Sequence, residues 1–473
     1  MSDKLLDPPC AALGRLPAPL VLLLAAASAF SVANVYYAQP LLDAIAHDFS
    51  ISLAAVGMVI TVTQLGCALA LLLVVPLGDR LNRHWLLAGQ QLGLIGALLL
   101  VGWAQSAPWL LAGMLLVGLL GTAMTQGLIA FAAALAAPQE RGRVVGAAQG
   151  GVVLGLLLAR TLSGALADVG GWRTVYFFSA GVTLVLLPIL SRLLPAPRTA
   201  PSTLSYPALL RSMLTLLLHD RTLQIRGMLA LLMFGAFSLF WSSLVLPLSQ
   251  APFNFTHAAV GAFGLVGAVG ALAAVRAGHL ADRGLGQVAS GVCLLLLTLA
   301  WLPLGLLGSG LVWLVAGIVL LDLAGQAIHV LNQSMIFSAH PQSHSRLVGC
   351  YMLFYAVGSG LGAFAGTHMY AWAGWSGVCW LGAGVSLSAL LFWRRFPPGG
   401  DGCVPPSSGA SCGGCVRSPP APAPPSARRF AASVGSGWRA GPPVDSRTAA
   451  AVRRGRGAVP TAAGNPVWCH RRR

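Results

Sequence analysis

Apolar residues fill this chain in blocks of about twenty, separated by short polar breaks marked with glycine and proline. A helix needs roughly 20 apolar residues to cross the hydrocarbon core of a bilayer. By that measure the blocks predict spans at about 18–39, 52–76, 85–104, 108–136, 145–167 and 174–194. Six more follow at about 227–248, 257–275, 288–308, 311–337, 347–372 and 376–394. The first block is long and closes on Tyr36-Tyr37 with no small-residue cleavage site, so it reads as a retained span rather than a signal peptide. The expected fold class is an all-α polytopic membrane protein of twelve transmembrane helices.

The charges between the blocks test that count independently, because Lys and Arg near the ends of spans stay on the cytoplasmic side. Lys4, Arg15, Arg80, Arg83, Arg141, Arg143, Arg192, Arg198, Arg211, Arg221, Arg226, Arg276, Arg283, Arg346, Arg394 and Arg395 all fall on one side, and only Arg173 on the other. Such asymmetry fits an even number of spans with both termini on the cytoplasmic side. Composition agrees: 9% of 473 residues are charged against 56% hydrophobic, too few charges to solvate a soluble protein of this length. The net charge of +17 splits between residues 1–396, with 18 basic and 10 acidic side chains, and residues 397–473, with 11 and 2. The basic residues of the main body stand singly or in pairs and not in a patch, so nucleic acid is not an expected partner.

The chain also repeats itself at an offset of about 203 residues. Asp79-Arg80 aligns with Asp282-Arg283, Pro138-Gln139 with Pro341-Gln342, Arg143 with Arg346, Gly146 with Gly349, Gly155 with Gly358, and Gly171-Trp172 with Gly374-Trp375. Anchors sharing one register over this distance predict two six-helix halves, 1–194 and 227–396, joined by a basic, proline-punctuated cytoplasmic linker at 195–226. Residues 397–473 turn to Pro, Gly, Ser, Ala and Arg without apolar periodicity, which reads as a disordered or frameshifted tail. Its Cys412 and Cys415 form a single CxxC with no second pair, so no metal is expected; no other cofactor is implied.

Ionisable side chains inside a membrane are costly and normally face a cavity or a partner. Two stand out, Arg160 deep in helix five and Asp322, roughly 15 Å into helix ten at about 1.5 Å per residue. Asp322, Gln326, His329 and Gln333 recur at spacings of one helical face. That stripe is either a helix-to-helix polar seam or a cavity lining, and Gln126 in helix four takes the repeat position of His329, which favours the cavity. Ser31, Asn34 and Tyr37 make a second stripe in helix one, and Ser238, Trp241 and Ser242 a third in helix seven. From these, Asp322, Arg160 and His329 are the expected proton-coupling groups. Asn34, Tyr37, Gln126, Gln326, Gln333 and Trp241 are the expected substrate contacts. The glycines of helix five, Gly146, Gly150, Gly151, Gly155 and Gly164, together with Gly349 and Gly358, read as close-packing positions.

The segment Gly78-Asp79-Arg80-Leu81-Asn82-Arg83 resembles the signature loop between helices two and three of the major facilitator superfamily. Gly278-His279-Leu280-Ala281-Asp282-Arg283 stands as its second copy. Val75 and Asn82 occupy places where that signature has glycines. Asn34 to Pro40 (NVYYAQP), Leu158 to Gly164 (LARTLSG) and Leu321 to Gln333 are similar to a bacterial branch of drug or sugar efflux permeases. The resemblance implies proton-coupled export of a small molecule by alternating access, with Asp79, Arg80, Arg83, Asp282 and Arg283 forming a cytoplasmic gate. On the residues alone, the arginines of that set equally serve to fix topology.

The expected protein is thus a monomeric secondary active transporter, an antiporter working in efflux, whose partners are a small-molecule substrate, protons and the lipid bilayer. A facilitative uniporter or channel-like pore for a small polar solute is the alternative. An enzyme is not expected, because HExxH and phosphate-loop motifs are missing and the external loops are short.

Overall fold

A computed structural model describes residues 16–137, 140–194, 205–339 and 344–395. The tail after 397, with its CxxC, and linker residues 195–204 lie outside the described residues. Everything described is helical or connecting, with no strand among the described residues.

Among the described residues, ten helices are long and apolar enough to cross a membrane. The last of them, His344–Arg394, is broken at Gly374, whose φ of 64° and ψ of −161° turn the chain back, so it supplies two crossings. A further crossing is interrupted, His257–Val266 followed by Ala268–Asp282. Counted so, the helices make twelve spans. In order these are Ala18–Tyr36, Met58–Leu69 with its extension to Asp79, Arg83–Gly102, Ala107–Leu135, Arg141–Gly170 and Trp172–Leu193. Then come Arg221–Ser243 with Val245–Leu248, the interrupted span eight, Gly286–Leu299 with Trp301–Gly305, Leu311–Ala339, and the two limbs of His344–Arg394.

Helix ends differ from the apolar blocks where capping chemistry decides. Span seven starts at Arg221, ahead of its apolar run, because the Asp220 side chain accepts the Leu223 amide at 2.9 Å. Span three starts at Arg83 because Asn82 accepts from the His84 amide at 3.0 Å. Span one stops at Tyr36, and Pro40 falls in a short 3-10 turn. The linker holds a helix of its own, Tyr206–His219, capped by Ser205. Tyr206 donates to the Leu73 carbonyl of span two at 2.8 Å, and Arg346 of span eleven donates to Ser212 at 3.1 Å.

The 203-residue repeat has geometric counterparts. Gly171 and Gly374 both hold positive φ, 78° and 64°, at the tight turns between spans five and six and spans eleven and twelve. A Cβ at Gly155 would lie 2.3 Å from the Ala29 carbonyl oxygen of span one, and one at Gly358 2.2 Å from that of Leu231 in span seven. Equivalent glycines therefore let equivalent helices touch backbone to backbone. Gly151 and Gly164 also lie against backbone, at Ala25 and His257, and Gly349 against the Met213 side chain. Gly146 and Gly150 depart from that reading, since a Cβ on either would meet nothing within 4 Å.

Trp103, Trp109 and Trp372 are exposed at one end of the helices and Trp85 at the other, the places where interfacial aromatics stand in a bilayer. The first end carries Asp43, Asp48, Asp168 and Arg173, and the second carries the arginine-rich connections. They are called the acidic and the basic end below.

Candidate functional site

At mid-height the helices converge on Arg160, which is 5% exposed. Its Nε donates to Gln39 Oε1 at 2.8 Å, and its guanidinium lies 4.0 Å from the centroid of the Trp241 ring and 5.7 Å from that of Tyr36. Stacking on an aromatic face offsets part of the cost of burying a cation. Asp322 of span ten is 4% exposed and interacts electrostatically with Arg160 and with Trp241. The structure thus brings together three of the expected residues, contributed by spans five, seven and ten.

Arg160 and Asp322 are not consumed by each other. Arg160 Nη2, Asp322 Oδ2 and Trp241 Nε1 each lack a hydrogen-bond partner within the protein, and Ser238 and Ser242 hydroxyls of span seven share that condition. Buried polar groups are nearly always satisfied, because leaving one without a partner costs about 1–3 kcal/mol. A cation, an anion and an indole N–H stand side by side here, the groups that a polar ligand or a proton would meet at this centre. Close behind it, Gly267 and Gly270 of span eight face Asp322: a Cβ at Gly267 would lie 2.8 Å from Oδ2. The break in span eight at Gly267 makes room for the acid.

An aromatic relay leads away from this centre. Tyr36 and Tyr355 share a hydrogen bond between their hydroxyls, Tyr355 meets Phe234 edge-on at 4.4 Å, and Phe234 meets His329 at 5.3 Å. His329 Nδ1 lies 3.1 Å from the Tyr351 hydroxyl. His329 is therefore engaged two turns along span ten from Asp322. Sequence reasoning missed Gln39 and Tyr355; the Tyr351-x-x-x-Tyr355 spacing in span eleven was the available signal.

The remaining candidates are placed as follows. Asn34 is buried, donates to the Phe30 carbonyl at 2.8 Å and accepts from Ser179 at 2.6 Å, so its amide joins spans one and six. Ser31 pairs with Thr125 and with the Gly121 carbonyl of span four. Tyr37 is fully buried with its hydroxyl unpartnered. Gln126 and Gln333 are half-buried, and Gln326 lies against Gly270. Of the gate set, Arg83 donates to the carbonyls of Gly78 and Ala130, both at 3.1 Å, while Arg80 and Arg283 are exposed. The side chains of Asp79 and Asp282 lie outside the described residues.

Access to the centre differs between the two ends. Toward the acidic end, Thr161 donates to the Gly261 carbonyl at 3.1 Å, Thr61 to that of Gly360 at 2.9 Å, and Thr367 to that of Ala54 at 3.0 Å. Spans five and eight, and two and eleven, are closed on each other there. The face of span five that carries Gly164, Thr161 and Leu157 continues toward the basic end as Val153, Gly150, Gly146 and Gly142. Nothing lies within 4 Å of a Cβ on any of those three glycines, and Val153 is 40% exposed. Span eight meanwhile leans away to pack on spans nine and ten. The helices are shut at the acidic end and parted between spans five and eight at the basic end.

A bundle of helices long and apolar enough to cross a membrane, with a buried charged centre and one closed end, has the architecture of a protein that moves solutes across a bilayer. Comparison with known proteins defines it further: the family model described as Major Facilitator Superfamily matches residues 22–343 and 278–440. The chain is 40% identical over 376 residues to the transporter YgaY of Escherichia coli (strain K12), covering 80% of this chain and 95% of that one. It is 26% identical to the multidrug resistance protein MdtG of Klebsiella pneumoniae (strain 342), over 71% of this chain and 82% of that one. Its fold matches a crystal structure of a bacterial homologue of the human lysosomal transporter Spinster in an inward-facing, unoccupied conformation. That match has a TM-score of 0.66 at 17% identity and covers 81% of this chain and 96% of the other. This chain belongs to the Major Facilitator Superfamily.

Proposed function

We propose that the protein expels a small molecule across the bacterial inner membrane in exchange for protons, by alternating access. The observation that carries this reading is the buried Asp322, held near Arg160 and Trp241 with one carboxylate oxygen unpartnered. When Asp322 is ionised, its charge is opposed by Arg160; when it is protonated, that attraction is lost and the guanidinium is released toward other acceptors. A carboxyl whose partner changes with its protonation can couple proton binding to a rearrangement of the helices that carry the pair. Spans five and ten carry it here. The arginine asymmetry supports a cytoplasmic basic end, so the open face would admit substrate from the cytoplasm. The name of MdtG supports export, since it is a multidrug resistance protein.

Asp322→Asn keeps size and removes titration. In proteoliposomes with an imposed pH gradient it is expected to bind substrate and exchange it downhill while losing proton-driven accumulation. Accumulation against a gradient at the normal rate would remove Asp322 from the coupling role and pass it to His329. Flux that never saturates and ignores the proton gradient in the native protein would favour a channel-like pore.

A further inference from the structure

At the acidic end one imidazole stands among the contacts by which the first six spans meet the last six. His257 opens the helix His257–Val266, and its Nδ1 lies 3.1 Å from Asp168 Oδ1 and its Nε2 3.2 Å from Asp43 Oδ1. Asp168 stands near the end of span five, and Asp43 on the short helix Leu42–Asp48 that follows span one. Both carboxylates therefore come from one side of the interface and the imidazole from the other. Asp168 also accepts the backbone amides of His257 and Ala258 at 3.0 and 2.9 Å, so it caps the helix whatever the state of the ring.

Hydrogen-bond inventory favours one charge state for this contact when both carboxylates are ionised. A neutral imidazole offers one donor and one acceptor, whereas an ionised carboxylate only accepts. Two carboxylates facing both ring nitrogens are satisfied together only by the imidazolium. Asp43 and Asp168 are the charged groups that act on His257. Asp48, on the same short helix as Asp43 and His47, is engaged by Arg173 and by the Trp172 indole. Of the other ionisable groups on the helices packed along 257–266, Arg160 and Asp322 face it, against Gly264 and Gly267 about two and three turns deeper, while Arg141, Arg143, Arg276, His279 and His329 lie further along those helices toward the basic end.

We propose that His257, Asp43 and Asp168 form a proton-operated latch: a proton taken up by His257 from the medium at the acidic end holds that end shut, and its loss lets the end open. The latch rests on the alternating-access reading, and on neither the identity of the substrate nor the coupling role of Asp322. Opening separates the imidazole from both carboxylates, so the closed form holds the proton more tightly than the open form. By linkage, acidifying the medium favours closure and raising its pH favours opening, across the range of about pH 5 to 8 in which imidazole changes charge. With the acidic end facing the exterior, this is a brake on outward opening in acid surroundings, separate from the buried coupling site.

The test follows the distance between spin labels placed at Gln105 and Gln250, exposed at the acidic end on opposite sides of the interface, in the full chain in lipid nanodiscs. Between about pH 5.5 and about pH 8.5 the open-to-closed ratio is expected to rise by on the order of tenfold for each unit by which closure tightens the proton. H257Q, which cannot titrate, is expected to lose the His257 part of that rise and keep only what Asp322 contributes. D43N, which leaves the Asp168 cap intact, is expected to shrink the response and keeps the test decisive if H257Q fails to fold. A native response already flat with pH, or one unchanged in H257Q or D43N, overturns the latch. D322N is expected to keep the part of the response that H257Q loses; loss of that part would assign the pH dependence to the central site and overturn the latch, while failure of D322N to couple transport would leave it standing.

Discussion

Replacing Gly164 with alanine adds one methyl where the acidic end closes, and the structure says what it meets. The new Cβ would lie 2.1 Å from the carbonyl oxygen of His257, 2.6 Å from its carbonyl carbon and 2.9 Å from the Ala258 nitrogen, all backbone atoms that cannot swing aside. Ordinary contact distances are near 3.5 Å, so spans five and eight must part by roughly an ångström. Overpacking of this kind costs about 1–3 kcal/mol. Because the contact crosses between the first and last six spans, the cost falls on the closed arrangement alone. It converts to a shift of about 5–150-fold toward opening of that end. Gly155→Ala meets the Ala29 carbonyl at 2.3 Å within the first six spans, a contact kept in every state, so it should lower the melting temperature without shifting the equilibrium. Gly146→Ala meets nothing, and alanine is the better helix former by about 0.5–1 kcal/mol, so it should be neutral or slightly stabilising. Label distances at the acidic end and melting in detergent measure the two effects separately. If Gly164→Ala is as closed as the native protein, or if Gly146→Ala destabilises as much as Gly155→Ala, the assignment of these contacts is wrong.

Asn34→Ala removes the acceptor of the buried Ser179 hydroxyl and should cost about 1–3 kcal/mol, read as a lower melting temperature with substrate affinity intact; lost affinity at normal stability would make Asn34 a substrate contact instead. A cysteine at Arg211 should resist an impermeant thiol reagent applied to whole cells while one at Gln250 reacts, and the reverse pattern would invert the topology drawn from the arginines. Deleting residues 400–473 should leave membrane insertion and transport intact, and loss of transport at normal expression would show that the polar tail matters.

The helical class was legible because a bilayer demands long apolar runs, and the runs say so without help from any contact. Turning points were legible where glycine repeats at the 203-residue offset, as at Gly171 and Gly374, whose backbone adopts a conformation that side chains disfavour. Helix starts at Arg83 and Arg221 were misplaced because a cap is a local hydrogen bond, invisible to a hydropathy window. Arg160 and Asp322 were legible singly, since each is a charge inside an apolar run. Their partners were not. Gln39 and Tyr355 join the centre through tertiary packing next to spans one and eleven; the four-residue spacing from Tyr351 is the one local mark on Tyr355, and Gln39 carries none. The stripes have the same limit: periodicity finds a polar face but not what the face meets, and in the fold the side chains of Asn34 and Ser31 bond neighbouring helices.

Arg160 also explains why centre and closed end can answer to each other. Its side chain faces Asp322 and Trp241, while its carbonyl oxygen lies where a Cβ on Gly261 would come within 2.2 Å, inside the closed contact between spans five and eight. One turn further along, Gly164 makes the matching approach to His257. Backbone packed this closely on backbone does not deform gradually; it is either seated or parted. A rearrangement that draws the guanidinium away from its place over Trp241 therefore bears on a contact with two discrete settings, which is the physical requirement for coupling between distant sites. On the proposed mechanism, protonation of Asp322 acts on that contact from inside the membrane, and protonation of His257 acts on it from the rim.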